Sequence, residues 1–156
     1  MAARLTIIAI GRAPASSPEA MLFARYAERL KPPLGLVALA DGRGSAGEIK
    51  AREGAAILAA LPAGAVLVVL DQGGAAETTE AFAGRLGRWR EAGRDIAFAI
   101  GGAEGHDRPV LDRAAHVMSL GPATWPHLLA RAMLAEQIFR ADSLLRGHPY
   151  HRSGRP

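Results

Sequence analysis

The stretch LLRGHPYHRSGRP, at residues 144–156, places titratable and cationic side chains directly after an apolar segment. His148, Tyr150 and His151 can each donate or accept a proton, and Arg152 can pair with an anion. The two histidines have no cysteine and no nearby carboxylate to complete a metal site, so we expect no metal there. The stretch therefore predicts either chemistry on an anionic ligand or an ordinary solvated basic tail.

The distribution of charge supports an anionic partner. From residue 127 onward there are five arginines and two acidic residues, so this segment carries +3 of the formal net charge of +4. A charge concentrated at one end of a chain is typical of proteins that bind polyanions. These arginines are Arg131, Arg140, Arg146, Arg152 and Arg155.

Three other stretches follow predicted strands and could hold a ligand. They are Leu70–Asp71, Ile100–Gly105 and Ser119–His127. Open α/β sheets bind ligands beyond the carboxyl ends of their strands. The pair Gly101–Gly102 lacks side chains and would let a ligand approach the backbone, although a plain tight turn has the same composition.

The loop Gly121–Pro126 has the residues of a rigid connection. Pro122 and Pro126 restrict its backbone, and Thr124 is expected to cap the helix that follows. A rigid loop holds backbone N–H and C=O groups in fixed positions for the polar edge of a ligand such as an adenine.

Strand-like and helix-like patterns alternate along the whole chain. Five such units predict an α/β fold with a parallel sheet covered by helices on both faces, and residues 1–156 are long enough for one domain. There is no cysteine, and the longest aliphatic run, AVLVVL, is too short to span a membrane. We therefore expect a cytoplasmic protein without a membrane partner.

A different ligand is suggested by the sequence ADGRGSAG. Gly42, Gly44 and Gly47 form a literal G-x-G-x-x-G after a predicted strand, and Asp71 ends a later strand. This spacing resembles a dinucleotide-binding fingerprint, although it falls in the second βα unit rather than the first. Dinucleotide binding is the alternative function.

The last predicted helix is apolar over most of its circumference. Between Leu128 and Leu145, twelve of eighteen residues are apolar. A helix that packs on one side needs an apolar stripe of only about 100°. This helix is therefore expected to pass through the core or to form a homodimer interface.

Several of these motifs together resemble a known family. IGGAEG, the segment from Ser119 to His127, RAMLAEQIFRA and the closing HPYHR are similar to the small SPOUT-class methyltransferases. The closest resemblance is to the bacterial 23S ribosomal RNA (pseudouridine-N3) methyltransferases, and it covers essentially the whole chain.

The resemblance implies a C-terminal trefoil knot, a homodimer and the methyl donor S-adenosylmethionine. By family motif, the donor contacts Leu70, Gly102 and the loop formed by Gly121, Pro122, Ala123, Thr124, Trp125 and Pro126. The family usually has proline at the position of Ala103, and its loop differs from the one here at Gly121 and Trp125.

The resemblance also implies roles for the C-terminal residues. Methylation of an imide nitrogen needs a base, and His127, His148 and His151 are candidates, with Tyr150 placed to contact the acceptor base. Arg131, Arg140 and Arg152 are expected to hold RNA phosphates. The expected partner is 23S ribosomal RNA in the ribosome rather than DNA, and a ribosome-binding module without catalysis is a further alternative.

Overall fold

The computed structural model describes residues 3–152, so Arg155 lies outside the described residues. Strands and helices alternate along the chain: β1 (Leu5–Ile10), α1 (Pro18–Ala27), β2 (Gly35–Leu39), α2 (Ala46–Ala60), β3 (Val66–Ala75), α3 (Thr79–Glu91), β4 (Ile96–Ile100), α4 (Arg108–Arg113), β5 (His116–Met118) and α5 (His127–Leu145).

The strands form one parallel sheet in the order β2-β1-β4-β3-β5. The central strands β1 and β4 are almost entirely buried because both sheet faces are covered. One buried cluster lies under α1, α3 and α5, and a second lies under α2 and α4. This arrangement confirms the predicted parallel sheet with helices on both faces, and the trefoil knot stays a prediction.

The apolar circumference of α5 is largely explained by contacts within this chain. The helix packs on the sheet between α1 and α3. Polar contacts fix its position, because Thr79 Oγ1 donates to Gln137 Oε1 at 2.8 Å and Arg90 Nη1 lies 2.6 Å from Asp142 Oδ1. Leu145 stays 45% exposed at its end. A homodimer therefore remains a prediction that the burial of α5 does not require.

The end of α5 turns the chain back along the same helix. Gly147 has a φ of +72°, which glycine adopts without strain. The amides of Gly147 and His148 donate to the carbonyls of Leu144 (3.2 Å) and Ser143 (2.9 Å). This reversal, a Schellman motif, returns Tyr150 to the middle of α5.

Candidate functional site

The predicted ligand-binding loops meet at the carboxyl edge of the sheet. There they surround a cavity of about 250 Å³, which we call the strand-end cavity. Six of the eight residues predicted to contact the donor line it: Leu70, Gly102, Gly121, Ala123, Thr124 and Trp125. Pro122 and Pro126 belong to the same loop but not to the lining. His127, Asp71 and His106 also line the cavity.

The glycine loop after β4 is shaped by close packing rather than by a simple turn. A Cβ at Gly102 would stand 2.7 Å from Glu53 Oε1 and 3.1 Å from Ile10 Cγ2. Gly102 and Gly105 form an antiparallel bridge across the loop. An added side chain at position 102 would force Glu53 or the loop to shift, and Gly102 itself lines the strand-end cavity.

The opposite wall of the cavity is the loop from Ser119 to Pro126. Ser119 Oγ donates to the carbonyl of Gly121 at 3.0 Å, and Trp125 Nε1 donates to the carbonyl of Leu120 at 3.3 Å. Gly121 has a φ of +102°, so this position favours glycine. Thr124 differs from its predicted role: its Oγ1 accepts a hydrogen bond from Gln72 at 3.1 Å and does not cap α5.

His127 lies at the start of α5, where it contacts the ends of β1 and β4. Its Nδ1 is 3.4 Å from the carbonyl of Gly101, and its Nε2 is 3.3 Å from Arg131 Nη2. The ring also stands where a Cβ of Gly11 would be, at 2.8 Å from Nε2. Of the three candidate histidines, His127 is the one that lines the strand-end cavity.

Arg131 differs from its predicted role as an RNA-phosphate ligand. It is 4% exposed, and Nη2 donates to the carbonyls of Ile10 at 2.9 Å and Gly11 at 2.5 Å. Burial lowers the pKa of the guanidinium, opposed by the negative charge of Asp41. A guanidinium held in this way ties α5 to the end of β1 and is not presented to a phosphate.

Two polar residues near the strand-end cavity were missed by sequence reasoning. His106, 7% exposed, places Nε2 3.0 Å from the carbonyl of Leu70, and burial lowers its pKa. Glu53, 4% exposed, accepts a hydrogen bond from the amide of Gly42 at 2.9 Å. One sequence signal could have indicated that Glu53 is buried: it lies four residues before the buried Ile57 on α2, within the apolar stripe of that helix.

The tail residues lie along α5 and not at the strand-end cavity. The ring of Tyr150 packs edge-on against Phe139, with centroids 4.9 Å apart, and its hydroxyl donates to Glu136 Oε1 at 3.3 Å. Burial is the main cause that raises the pKa of Tyr150 to about 12. The guanidinium of Arg140 lies 4.8 Å from the Tyr150 ring and pairs with Glu136 at 2.7 Å.

The remaining tail candidates differ in exposure. His151 Nε2 lies 2.9 Å from Glu80 Oε1, with its side chain 9% exposed. His148 and Arg152 are exposed.

Tyr150 contacts Glu136, which lies nine residues beyond His127 on α5, or about 13 Å along the helix axis. The structure therefore separates His127 from the other three candidate catalytic residues.

A larger cavity of about 490 Å³ lies on the helix-covered side of the same loop. We call it the helix-side cavity. It shares Ser119, Leu120 and Gly121 with the strand-end cavity, and Tyr26 and Glu136 form part of its wall. The rigid loop and the partners of Tyr150 thus border this second space.

The glycine motif of the alternative function has a different local role. Gly47 is inside α2, and Ser45 and Glu48 form a reciprocal capping box at the helix start. The carboxylates of Glu48 and Glu53 therefore lie where a pyrophosphate would bind. Asp71 is three strands away across the sheet, about 14 Å from β2. The structure does not support dinucleotide binding here.

The part of the chain that the structure describes meets neither the requirements of a metal-binding cluster nor those of a membrane-spanning helix. Residues 3–152 contain no group of three or more histidine, cysteine, aspartate or glutamate side chains arranged to hold a metal ion. Within the same range, no helix is long and apolar enough to cross a membrane.

Comparison with known proteins confirms the resemblance seen in the motifs. The family model described as predicted SPOUT methyltransferase matches residues 3–151. A ribosomal RNA large subunit methyltransferase H from Acidiphilium cryptum is 58% identical over 99% of this chain and 97% of its own length. A protein of the same name from Gluconacetobacter diazotrophicus is 55% identical over 97% of this chain and 99% of its own length.

Among solved structures, the SpoU methyltransferase AviRb from Streptomyces viridochromogenes in complex with AdoMet is similar at a TM-score of 0.49. It is 15% identical, and the match covers 91% of this chain and 59% of AviRb. The family match over nearly the whole chain and the two close relatives establish that the chain belongs to the SPOUT methyltransferase family.

Proposed function

We propose that this chain is an S-adenosylmethionine-dependent methyltransferase of large-subunit ribosomal RNA, with N3 of a pseudouridine in 23S rRNA as the acceptor. One observation carries the proposal: the two loops predicted to contact the donor enclose the strand-end cavity. The names of the close relatives support ribosomal RNA as the substrate.

The strand-end cavity has the features that the donor requires. Gly102 lines the cavity, and the loop Gly121–Pro126 is held by side-chain contacts through Thr124 and Trp125. S-adenosylmethionine supplies an electrophilic methyl group on a sulfonium. The chain must position donor and acceptor and remove the proton of the imide nitrogen.

We propose that the base that removes this proton is His127, His148 or His151. His127 borders the strand-end cavity, whereas Tyr150 and His151 are fixed farther along α5 by Glu136 and Glu80. We propose that a homodimer joins the two groups, with the tail of one subunit reaching the strand-end cavity of its partner. Met21, Leu22 and Trp125, apolar and at least 36% exposed, would supply part of that interface.

RNA contacts are proposed for Arg140 and Arg152, which extend from α5 and the tail, while Arg131 is used internally. The whole chain would act as one catalytic domain in the cytoplasm, on the assembled ribosome. The C-terminal trefoil knot, in which the last segment passes through a loop, is part of the same proposal.

The deciding experiment combines calorimetry with a methylation assay. We expect the protein to bind S-adenosylmethionine and not a nicotinamide dinucleotide, and to methylate large subunits from cells that lack the modification, with the site located by mass mapping of the rRNA. Binding of the donor without methyl transfer would favour the non-catalytic ribosome-binding module. Binding of the dinucleotide alone would overturn the proposal.

Deletion of residues 148–156 tests the role of the tail. The strand-end cavity is formed without these residues, so donor binding should persist. Methyl transfer should fall at least about a hundredfold, as for the loss of a general base. A truncated enzyme that retains the normal rate would show that the tail is only a solvated basic end.

A further inference from the structure

A third cavity lies at the same edge of the sheet, beyond the ends of β1 and β2, which are one and two strands from β4 and the strand-end cavity. We call it the arginine cavity: it has a volume of about 350 Å³ and is lined by Arg12, Ala40, Asp41, Gly42 and Arg43. We infer that Arg12 and Arg43 form a binding site for backbone phosphates of the RNA strand that flanks the acceptor nucleotide. This inference rests on the proposed function.

The two arginines come from neighbouring strand ends. Ile10 pairs with Leu39 in the β1–β2 ladder, and the amide of Gly11 donates to the carbonyl of Leu39 at 2.7 Å. Arg12 and Arg43 therefore follow parallel strands that are about 4.8 Å apart. Both side chains project from the edge at which parallel α/β sheets bind their ligands.

Neither guanidinium is used inside the protein. Arg12 and Arg43 are exposed, and among residues 3–152 no hydrogen bond or ion pair involves either side chain. This differs from Arg131, whose guanidinium donates to backbone carbonyls. Free guanidinium groups on a shared cavity suit the bidentate recognition of phosphate oxygens.

Asp41, the carboxylate in the cavity lining, offsets one of the two positive charges, so the lining keeps a net charge of +1. Its negative charge acts on the buried guanidinium of Arg131, where it opposes the effect of burial on the pKa. The cavity therefore keeps a net positive lining for an external anion.

The loop that carries Arg43 is anchored on both sides. Glu53 accepts from the amide of Gly42 at 2.9 Å, and Arg52 Nη1 donates to the carbonyl of Arg43. The capping box of Ser45 and Glu48 fixes the following helix start. A site that is ordered before binding loses less entropy when the ligand arrives.

The position of the arginine cavity relates it to the proposed chemistry. A Cβ added at Gly11, next to Arg12, would stand 2.8 Å from Nε2 of His127, and His127 lines the strand-end cavity. In the order β2-β1-β4-β3, the β1 and β2 ends lie about 10 and 14 Å from the end of β3. An acceptor nucleotide whose nucleobase enters the strand-end cavity would thus place the phosphates of a flanking nucleotide beside Arg12 and Arg43.

The test uses the double variant Arg12→Gln/Arg43→Gln, which removes two charges and keeps polar side chains. The matched control is Arg88→Gln, because Arg88 is also exposed but lies in the last turn of α3, at the opposite edge of the sheet. Affinity for purified large ribosomal subunits is measured by filter binding over a range of KCl concentrations. Calorimetry with S-adenosylmethionine and the melting temperature report on the fold.

We expect the double variant to bind large subunits at least about tenfold more weakly, with donor affinity unchanged. The slope of log affinity against log salt should fall by about 1.4, because each single-strand phosphate that an arginine neutralises contributes about 0.7. The Arg88→Gln control should have the subunit affinity and the salt slope of the wild-type protein. Unchanged affinity and slope in the double variant would overturn the inference, whether or not the wild-type protein transfers methyl groups. Absence of methyl transfer by the wild-type protein contradicts the proposed function instead.

Discussion

Nε2 of His127 lies 3.3 Å from Nη2 of Arg131, and the same guanidinium nitrogen donates to the carbonyls of Ile10 and Gly11. Both N–H groups of that nitrogen are directed to the two carbonyls, so its approach to His127 is a close polar contact, and Nδ1 of the same ring lies 3.4 Å from the carbonyl of Gly101. The pair therefore fixes the start of α5 against the ends of β1 and β4.

The variant Arg131→Met should destabilise the protein. It retains most of the apolar stem but leaves the carbonyls of Ile10 and Gly11 without their donor. We expect the free energy of unfolding, measured in urea, to fall by about 2 kcal/mol. Arg88→Ala, at an exposed position, should change it by less than about 0.5 kcal/mol. A stable Arg131→Met protein with weakened RNA binding would restore the phosphate role predicted for Arg131.

The variant His127→Ala separates a positioning role from a catalytic one. Loss of the ring removes the contact between α5 and the carbonyl of Gly101, which is part of the strand-end cavity. We expect the Kd for S-adenosylmethionine, measured by calorimetry, to rise about tenfold. If His127 acts only as the base, the Kd will stay constant and kcat alone will fall.

The variant Gly102→Ala should impair donor binding through a steric clash. The new Cβ would stand 2.7 Å from Glu53 Oε1, a side chain that is itself held by Gly42, so the loop must shift into the strand-end cavity. We expect affinity for S-adenosylmethionine to fall at least about tenfold and stability to fall by about 1–3 kcal/mol.

The control for this variant is Gly47→Ala. Gly47 lies in α2, and nothing stands within 4 Å of an added Cβ. Helix propensity then predicts a gain in stability of up to about 1 kcal/mol, with donor affinity unchanged. If Gly102→Ala behaves like Gly47→Ala, the close packing against Glu53 does not shape the cavity.

The fold and the loops of the strand-end cavity could be predicted because their signals are local. Alternation of strand and helix patterns indicated the parallel sheet, and the glycine and proline positions of residues 100–105 and 119–126 marked the loops. Six of the eight residues expected from the family motif line one cavity.

The polar residues beside that cavity could not be predicted because their partners are distant in the sequence. Glu53 meets Gly102, and His106 meets the carbonyl of Leu70, only after the sheet has assembled. The internal partners of Arg131 were hidden for the same reason: an arginine on a basic segment suggested an anion ligand, while the sheet supplied two carbonyls, and its contact with RNA stays a prediction.

Burial of His106 predicts a loss of stability in mild acid. Its pKa in the folded chain is below the ordinary value of 6.5, mainly because burial disfavours the charged ring. As the pH falls below about 6.5, the unfolded chain binds a proton that the folded chain does not, so the free energy of unfolding decreases. His106→Gln should show a smaller decrease between about pH 7.5 and 5.5 in urea unfolding. Equal decreases in both proteins would contradict this assignment.

Tyr150 should remain a neutral phenol at neutral pH. Burial and the hydrogen bond with Tyr26 raise its pKa from 10.0 to about 12, so it can donate to Glu136 but cannot serve as an anionic base.

The raised pKa of Tyr150 predicts how the stability of the protein changes at high pH. Below pH 10 the contribution of the buried phenol is fully present, and it is lost as the pH rises from 10 towards 12, because the unfolded chain releases the proton first. The chain contains two tyrosines, so the phenolate absorbance of wild-type protein minus that of Tyr150→Phe isolates this residue. We expect the difference to titrate near pH 12, and to move lower in the background Tyr26→Phe. A difference that titrates at about pH 10 would show that Tyr150 is not held against α5 in solution.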